Sequence, residues 1–272
     1  MLKKTALAVL CAAVLLGACS KNDNKSTDGK AISEQTIIVA TDASYAPFEY
    51  MENDKVVGFS HDVLAAAGAK EGLKFDFVNT PFEGIFANVD KGDSDVALAS
   101  ITITEERRKQ VDFSEPYFEA TQMIVTADKG SGVKSFADLK NRVVSVQNGT
   151  TGDLAIQDLQ GKDSTKIKRF ETMPLAFKEL QSGGVDASVG DNGVIQNFVT
   201  NNPDIKFNTF VDPTFEKEFY GFVVKKDRKD ELLPTLNKGL AAIKADGTYD
   251  KIYTQWFKPN EAGATVAASA AK

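Results

Sequence analysis

The sequence is poor in cysteine and histidine. Its 272 residues include only Cys11, Cys19 and a single histidine, His61. Both cysteines lie in or directly after an N-terminal apolar run, so the domain that follows has no disulfide and must be held by its core. Thiol nucleophiles, histidine-based catalysis and Cys/His metal sites have few candidate residues, and we expect no metal and no cofactor.

The sequence also lacks a hydrophobic run long enough to span a membrane. The apolar stretch 6–16 is too short to cross hydrocarbon about 30 Å thick, and no later segment is long enough. Lys3 and Lys4 precede this stretch and small residues end it, which predicts a signal peptide over residues 1–18.

The residues at the end of this signal, Leu16-Gly17-Ala18-Cys19, resemble a lipobox. The resemblance predicts palmitate on Cys19, a polar tether over residues 19–35 and a protein anchored to a membrane in the periplasm or at the cell surface. An ordinary signal peptide with a chance cysteine is the alternative.

Acidic residues outnumber basic ones, 38 to 32. Loss of Lys3 and Lys4 with the signal would lower the formal net charge from −6 to −8, so nucleic acid is excluded as an expected partner. The remaining chain is long enough for one large domain or two lobes of roughly 100 residues each.

Short β-branched runs alternate with helical patterns, which predicts an α/β fold with largely parallel strands. The expected strands are 36–40, 74–78, 96–99, 123–126, 142–146, 167–170, 187–189 and 221–224. The expected helices are 62–71, 82–90, 105–110, 135–139, 153–159, 174–181, 192–200 and 231–246, and the last strand is expected to be followed by a long helix ending at Trp256.

Segments 82–100 and 174–191 repeat one pattern of helix, glycine turn, aspartate and apolar strand. Aligning their glycines places Asp95 on Asp186 and Ser100 on Asp191. This indicates two similar lobes with polar residues at matched strand ends, although Gly-x-x-Asp is also common before strands in unrelated α/β proteins. The second lobe is inserted into the first, so the chain crosses between them twice, at 117–121 and 216–220, which permits hinge closure.

Several motifs resemble those of the polar amino acid-binding proteins of ABC importers, in that family's order. They are TDASYAPFE at 41–49, VGF at 57–59, ITITEER at 101–107, VDFSEPY at 111–117, DGTY at 246–249 and WF at 256–257. The resemblance covers residues 36–257. It implies a two-lobe periplasmic binding protein fold (type II), each lobe a mixed, mostly parallel sheet flanked by helices, with a two-strand hinge.

The resemblance also implies an organisation of the chain. Lobe I would comprise 36–116 and 221–258, lobe II 122–215, and the hinge 117–121 and 216–220, followed by a disordered tail at 259–272. The protein would be a monomer that delivers a free L-amino acid to ABC transporter permease subunits. It would not be an enzyme.

The implied ligand site combines donors for a carboxylate with acceptors for an ammonium group. Arg107 would clamp the α-carboxylate with a bidentate guanidinium, helped by Thr102, while Thr104 is expected to cap the following helix. From lobe II, the loop 147–152 would present free N–H groups and Thr151 to the same carboxylate. A phosphate-binding loop is disfavoured, because the Gly-Lys-Ser/Thr signature is missing.

Asp191 would accept the α-ammonium, facing Ser100. Tyr45 and Phe82 would form aromatic walls, and Gln147 and Asp42 would lie near the ligand side chain. The complete implied set is Asp42, Tyr45, Phe82, Ala99, Ser100, Thr102, Arg107, Gln147, Thr151 and Asp191.

The identity of the ligand rests on departures from the family patterns. Gln147 and Gly190 stand where glutamine binders have a lysine and a histidine, which favours arginine, lysine or histidine as ligand. Ser60 opposes this, because many binders of basic amino acids carry an acid there. Glutamine or another neutral polar amino acid is therefore the alternative.

Two further functions share this scaffold. A dehydratase-like enzyme would need an acid or base near the cleft, and Asp42 or Asp191 could serve. A surface sensor or adhesin-like lipoprotein would keep the binding site and differ in its partner.

Overall fold

The computed structural model describes residues 35–127 and 132–257 of the chain. The expected signal peptide, the lipidation site Cys19, the tether up to residue 34 and the tail 259–272 lie outside the described residues. Within the described ranges, no helix combines the length and the apolar character that a membrane span requires.

The described residues form strands and helices in regular alternation. The strands are β1 (Thr36–Thr41), β2 (Ser44–Tyr45), β3 (Glu49–Glu52), β4 (Lys55–Val57), β5 (Lys74–Asn79), β6 (Val96–Ala97), β7 (Val111–Phe113), β8 (Phe118–Thr126), β9 (Val144–Gln147), β10 (Ile167–Phe170), β11 (Ala187–Asp191), β12 (Asn208–Phe210), β13 (Lys217–Tyr220) and β14 (Val223–Lys225). The helices are α1 (Phe59–Lys70), α2 (Phe82–Lys91), α3 (Glu105–Arg108), α4 (Thr151–Gln160), α5 (Met173–Gln181), α6 (Asn192–Thr200), α7 (Leu232–Ala245) and α8 (Thr248–Trp256), with a 3-10 helix (Ala137–Asn141) before β9.

Local sequence explains the main elements. Strand β1 is a β-branched run whose last three residues are buried, and such residues suit a covered strand. Helix α2 buries Phe82, Ile85 and Val89, which recur at helical spacing. Thr150 and Thr172 accept hydrogen bonds from the first turns of α4 and α5, so each acts as the N-cap of its helix.

Two main sheets define the two lobes. The first has the strand order β5-β1-β6-β14-β7, and the second has the order β10-β9-β11-β8-β12. Pairing is parallel where β1 meets β5 and β6 and where β9 meets β10 and β11, and antiparallel at β14 and β8. Each sheet is therefore mixed. Fewer strands pair in parallel than expected, because β8 and β14, which follow the two crossings between the lobes, run antiparallel to their neighbours.

Strand β8 belongs to both the second sheet and the link between the sheets. Its first residues, 118–121, pair antiparallel with β13 at 217–220, whereas its later residues pair with β11 and β12. The two antiparallel strands thus form the two-strand connection between the lobes.

Aromatic rings surround this two-strand connection. The ring centroid of Phe118 lies 4.8 Å from that of Phe48 and 5.4 Å from that of Tyr220. Phe48, from lobe I, also faces Gly193 on α6 of lobe II, where an added Cβ would lie 2.7 Å from the ring. The apolar cluster is consequently continuous between the lobes.

The internal repeat has a structural counterpart in both sheets. Asp95 accepts a hydrogen bond from the backbone N–H of Ile38 at 3.0 Å, and Asp186 accepts one from Val143 at 2.8 Å. The backbone N–H of each aspartate donates back to the carbonyl of the same neighbour, at 2.8 Å in both lobes. The repeated aspartates therefore tie matched strands together, which a chance occurrence of Gly-x-x-Asp would not do.

Two sequence expectations were wrong in detail. The expected long helix ending at Trp256 is broken into α7 and α8, because Gly247 adopts a left-handed backbone conformation with φ of 78°. The 135–139 helix is a 3-10 helix at 137–141. The short strands β2, β3, β4, β7 and β12 were not predicted, because segments of two to four residues carry too little periodicity.

Candidate functional site

A cleft between the two lobes brings all ten predicted residues together. It encloses about 290 Å³, including its opening to solvent. Its lining consists of Asp42, Tyr45, Phe82, Ala99, Ser100, Thr102, Arg107, Gln147, Thr150, Thr151 and Asp191. Thr150 is the one lining residue outside that set, and it belongs to the loop 147–152 that was expected to face the ligand carboxylate. Most of the lining follows the carboxyl ends of β1, β6, β9 and β11, where α/β sheets commonly bind ligands.

Arg107 is the cationic group of the cleft. Thr104 accepts a hydrogen bond from the Arg107 backbone N–H at 3.1 Å, so it is the N-cap of α3 as expected. The guanidinium donates to the carbonyl oxygens of Thr102 at 2.8 Å and, across the cleft, of Gly149 at 3.2 Å. It also lies over the ring of Phe82, 5.7 Å from its centroid.

No ion pair of Arg107 occurs within residues 35–127 and 132–257. Burial lowers the pKa of Arg107, while the negative charges of Glu218 and Asp191 act in the opposite direction. A guanidinium keeps its charge at neutral pH despite such a shift. Arg107 is therefore a partly buried cation that can receive a carboxylate.

The loop from Gln147 to Gly152 offers fewer donors than expected. The backbone N–H of Asn148 donates to Phe170 at 2.9 Å, and that of Gly149 donates to the carboxylate of Asp153 at 3.1 Å. Thr150 donates its backbone N–H to the Gln147 carbonyl. The first-turn N–H groups of Thr151 and Gly152, which have no partner inside α4, are the ones left for an anion.

Asp191 lies at the end of β11 and is only 6% exposed. Its carboxylate accepts hydrogen bonds from the hydroxyls of Tyr45, at 2.9 Å, and Tyr220, and from the Gln122 amide at 2.5 Å. It makes no capping bond to α6, so its side chain serves the cleft and not the helix terminus. Burial, reinforced by the charge of Glu218, raises the pKa of Asp191 from 3.8 to about 6.

Asp42 is a second buried carboxylate, on the lobe I side. It accepts hydrogen bonds from the Ser44 hydroxyl at 2.7 Å and, across the cleft, from the Gln147 amide at 2.6 Å. Burial raises the pKa of Asp42 in spite of these bonds, and the charge of Glu171 adds to the increase.

Two further acids bear on the cleft and were not assigned to it from the sequence. Glu49 is fully buried behind Ser100, whose hydroxyl donates to it at 3.1 Å, and burial raises the pKa of Glu49 well above its ordinary range. Ser100 itself has a φ of 46°, an uncommon conformation for a residue with a side chain. Glu218, on β13, accepts hydrogen bonds from Thr102 and Thr151 at 2.6 and 2.8 Å.

The balance of charge in the cleft is acidic. Asp42, Glu49, Asp191 and Glu218 lie in or directly behind it, whereas Arg107 is the cation of its lining. A buried carboxylate is tolerated when it is protonated or meets a cation. No group of three or more metal-binding side chains occurs in the described parts of the chain.

Comparison with known proteins gives consistent matches. The "Probable histidine-binding protein" of Neisseria gonorrhoeae is 38% identical over 259 residues, which cover 94% of this chain and 96% of that protein. The structure of the arginine-, lysine-, histidine-binding protein ArtJ from Geobacillus stearothermophilus is 42% identical with a TM-score of 0.78, covering 82% of this chain and 95% of that one.

A third match is named as a binding protein that preceded an enzyme. It is the ancestral amino acid-binding protein AncCDT-1, a precursor of cyclohexadienyl dehydratase, at 38% identity and a TM-score of 0.74, covering 83% of this chain and 96% of that one. All three matches are thus named as binding proteins. Since residues 37–259 also match a single family over most of the chain, the protein belongs to the bacterial extracellular solute-binding proteins, family 3.

Proposed function

We propose that this protein binds a basic L-amino acid between its lobes and delivers it to an ABC importer, without catalysing a reaction. The observation that carries the proposal is the excess of buried carboxylates over the one cleft arginine. A zwitterion with a neutral side chain adds no net charge to this cleft. Arginine, lysine or protonated histidine adds one positive charge, which offsets the cost of keeping the acids ionised.

In the proposed pose, the two charged groups of the amino acid backbone bind to groups of opposite charge in the cleft. The α-carboxylate would be held by Arg107 together with Thr102 and Thr151, and the α-ammonium by Asp191 with Ser100. Tyr45 and Phe82 would pack on the aliphatic part of the ligand. Each of these residues lines the same cleft, which supports the pose.

The basic end of the ligand would then meet Asp42. Gln147 donates to Asp42 at 2.6 Å and to the Glu171 carbonyl at 3.0 Å, so its amide nitrogen is already engaged at that end. A neutral glutamine side chain would leave Asp42 without a counter-charge. The names of the histidine- and arginine-binding relatives support the same choice.

Arginine and citrulline form the sharpest test, because citrulline has nearly the same shape as arginine and a neutral side chain. The purified protein would be screened by thermal shift and titration calorimetry against the twenty L-amino acids, ornithine, citrulline and cystine. Arginine, lysine or histidine at 100 times its Kd should stabilise the fold by about 2.7 kcal/mol. Equal binding of citrulline and arginine, or binding of glutamine alone, would contradict the basic-ligand proposal.

The membrane anchor and the absence of catalysis need separate tests. Labelled palmitate should be incorporated into the expressed protein, and a Cys19→Ala variant should be neither labelled nor retained in the membrane fraction. A bound amino acid should be recovered unchanged after prolonged incubation, whereas conversion to a product would favour the dehydratase-like alternative. The permease is expected to contact the rims of both lobes.

A further inference from the structure

The connection between the lobes carries an acid that reaches into the cleft. Glu218 lies on β13, opposite Ala120 of β8, and is partly buried. One of its carboxylate oxygens accepts hydrogen bonds from the hydroxyls of Thr102, at 2.6 Å, and Thr151, at 2.8 Å. The other oxygen accepts from the Gln122 amide at 3.1 Å. Glu218 thus joins lobe I and lobe II through one carboxylate.

The two threonines that hold Glu218 are those that the proposed pose gives to the ligand. A hydroxyl has a single proton to donate, so neither Thr102 nor Thr151 can donate to Glu218 and to a ligand carboxylate at once. The charge of Glu218 also acts on Arg107 and Asp191, which are the two charged groups of the pose. Glu218 therefore takes the hydrogen bonds that a ligand carboxylate would accept, and its negative charge acts on the charged groups that would bind the ligand.

We propose that Glu218 is an internal competitor of the ligand's α-carboxylate and thereby sets the affinity of the site. This inference rests on the proposed function as an amino acid binder, but not on which amino acid is bound, because every candidate carries the same carboxylate. Binding exchanges one carboxylate for another at Thr102 and Thr151. The displaced Glu218 must turn to solvent or to Gln122, and the cost of that displacement is subtracted from the binding free energy.

The variants Glu218→Gln and Glu218→Ala separate competition from other roles. Glutamine keeps the shape of the side chain and removes its charge, whereas alanine removes the acceptor altogether. Hydrogen bonds to charged groups are strong enough that both variants should bind L-arginine about tenfold more tightly than the wild type. A purely structural role would instead weaken binding, as would a role as counter-charge for the ligand's ammonium or guanidinium group.

The matched control is Glu119→Gln. Glu119 lies on the partner strand of the same ladder and pairs with Lys217 at 2.8 Å, so this change removes an equal charge from the connection without touching the cleft lining. Its affinity for L-arginine should stay within about twofold of the wild type, since the pair lies outside the cleft and its lysine is exposed.

The decisive experiment is titration calorimetry of the wild type and the three variants with L-arginine, and with whichever amino acid binds if arginine does not. Thermal unfolding without ligand checks that each variant is folded. Tighter binding by both Glu218 variants, with Glu119→Gln unchanged, is the expected result. Unchanged or weaker binding by the Glu218 variants would overturn the competition alone, whereas a wild type that binds no amino acid would overturn the proposed function as well.

Discussion

Segments 82–100 and 174–191 build the same unit in the two lobes and end differently. In both, an aspartate, Asp95 or Asp186, exchanges hydrogen bonds with a neighbouring strand. At the cleft end, lobe I presents the neutral hydroxyl of Ser100, backed by buried Glu49, whereas lobe II presents the carboxylate of Asp191. The residues that build the unit are repeated, and those that face the cleft are not.

This difference gives the cleft a direction. Lobe I contributes the guanidinium of Arg107, and lobe II contributes the carboxylate of Asp191, so opposite charges face each other across the ligand space. Two identical lobes would present the same charge twice and could not orient a zwitterion. The difference between the residues that face the cleft therefore provides orientation, and the repeated unit behind them provides the frame.

The largest expected effect comes from removing the cation of lobe I. Arg107→Ala should weaken L-arginine binding about 100-fold or more, because a ligand carboxylate would be buried without a charged partner. Calorimetry would measure the loss. Arg108→Ala is the matched control, since Arg108 is exposed, lies over Phe113 and does not line the cleft, and it should bind like the wild type. If Arg107→Ala kept wild-type affinity, the proposal that Arg107 binds the α-carboxylate would be wrong.

Replacing Asp191 by a neutral residue, as at the matched position Ser100 of lobe I, should show in the pH dependence of stability. The pKa of Asp191 is about 6 in the fold against 3.8 ordinarily, so between these values the folded state binds more protons than the unfolded chain. Its free energy of unfolding therefore falls as pH rises from about 4 to about 6, by roughly 3 kcal/mol from this group. The raised pKa values of Asp42 and Glu49 act in the same direction.

Asp191→Asn should flatten this part of the profile, measured by chemical denaturation without ligand between pH 4 and 7. Asp163→Asn, a change at an exposed position, is the control and should leave the profile as it is in the wild type. An Asp191→Asn profile as steep as that of the wild type would mean that the raised pKa of Asp191 does not cause the loss of stability.

The sequence predicted the main strands, the helices and the cleft lining, but it did not predict that Glu49 and Glu218 lie beside the cleft. Runs such as β1 and the helix α6 carry clear periodic patterns. Of the ten predicted lining residues, four lie within the motifs at 41–49 and 101–107, and the other six follow from the wider family resemblance. Glu218 contacts Thr102, 116 positions away in the chain, only because β8 and β13 pair in one register. No local pattern encodes that register.

The structure does relate Glu218 to its neighbour Tyr220. Alternate residues of a strand point to the same face, so Glu218 and Tyr220 share one. Tyr220 is fully buried and donates to Asp191, and the face that it shares with Glu218 is therefore the cleft face. Glu49 lay within a recognised motif, but its burial behind Ser100 follows from the pairing of β2 with β3, both too short to predict.

A third prediction concerns the acid that lobe I does contribute. Asp42→Asn should reduce the preference for arginine over citrulline by about tenfold, since the loss removes one charge-assisted contact at the basic end of the ligand. Calorimetry with both ligands gives the ratio directly. Thermal unfolding serves as the control, because loss of the Gln147 contact to Asp42 could also loosen the lobes. An unchanged ratio would place the basic end elsewhere in the cleft.

The smallest effect on binding is expected where the two lobes are alike. Asp95→Ala and Asp186→Ala should each lower the free energy of unfolding by about 1–2 kcal/mol, because each leaves a strand N–H without its acceptor. Asp186 is the cleaner case, because its ion pair with Arg142, at 3.7 Å, is longer than that of Asp95 with Arg228, at 3.2 Å. Both variants should keep arginine affinity within about twofold, measured by calorimetry below the unfolding temperature. Loss of affinity in one variant alone would show that, in that lobe, the aspartate also positions the residue that contacts the ligand.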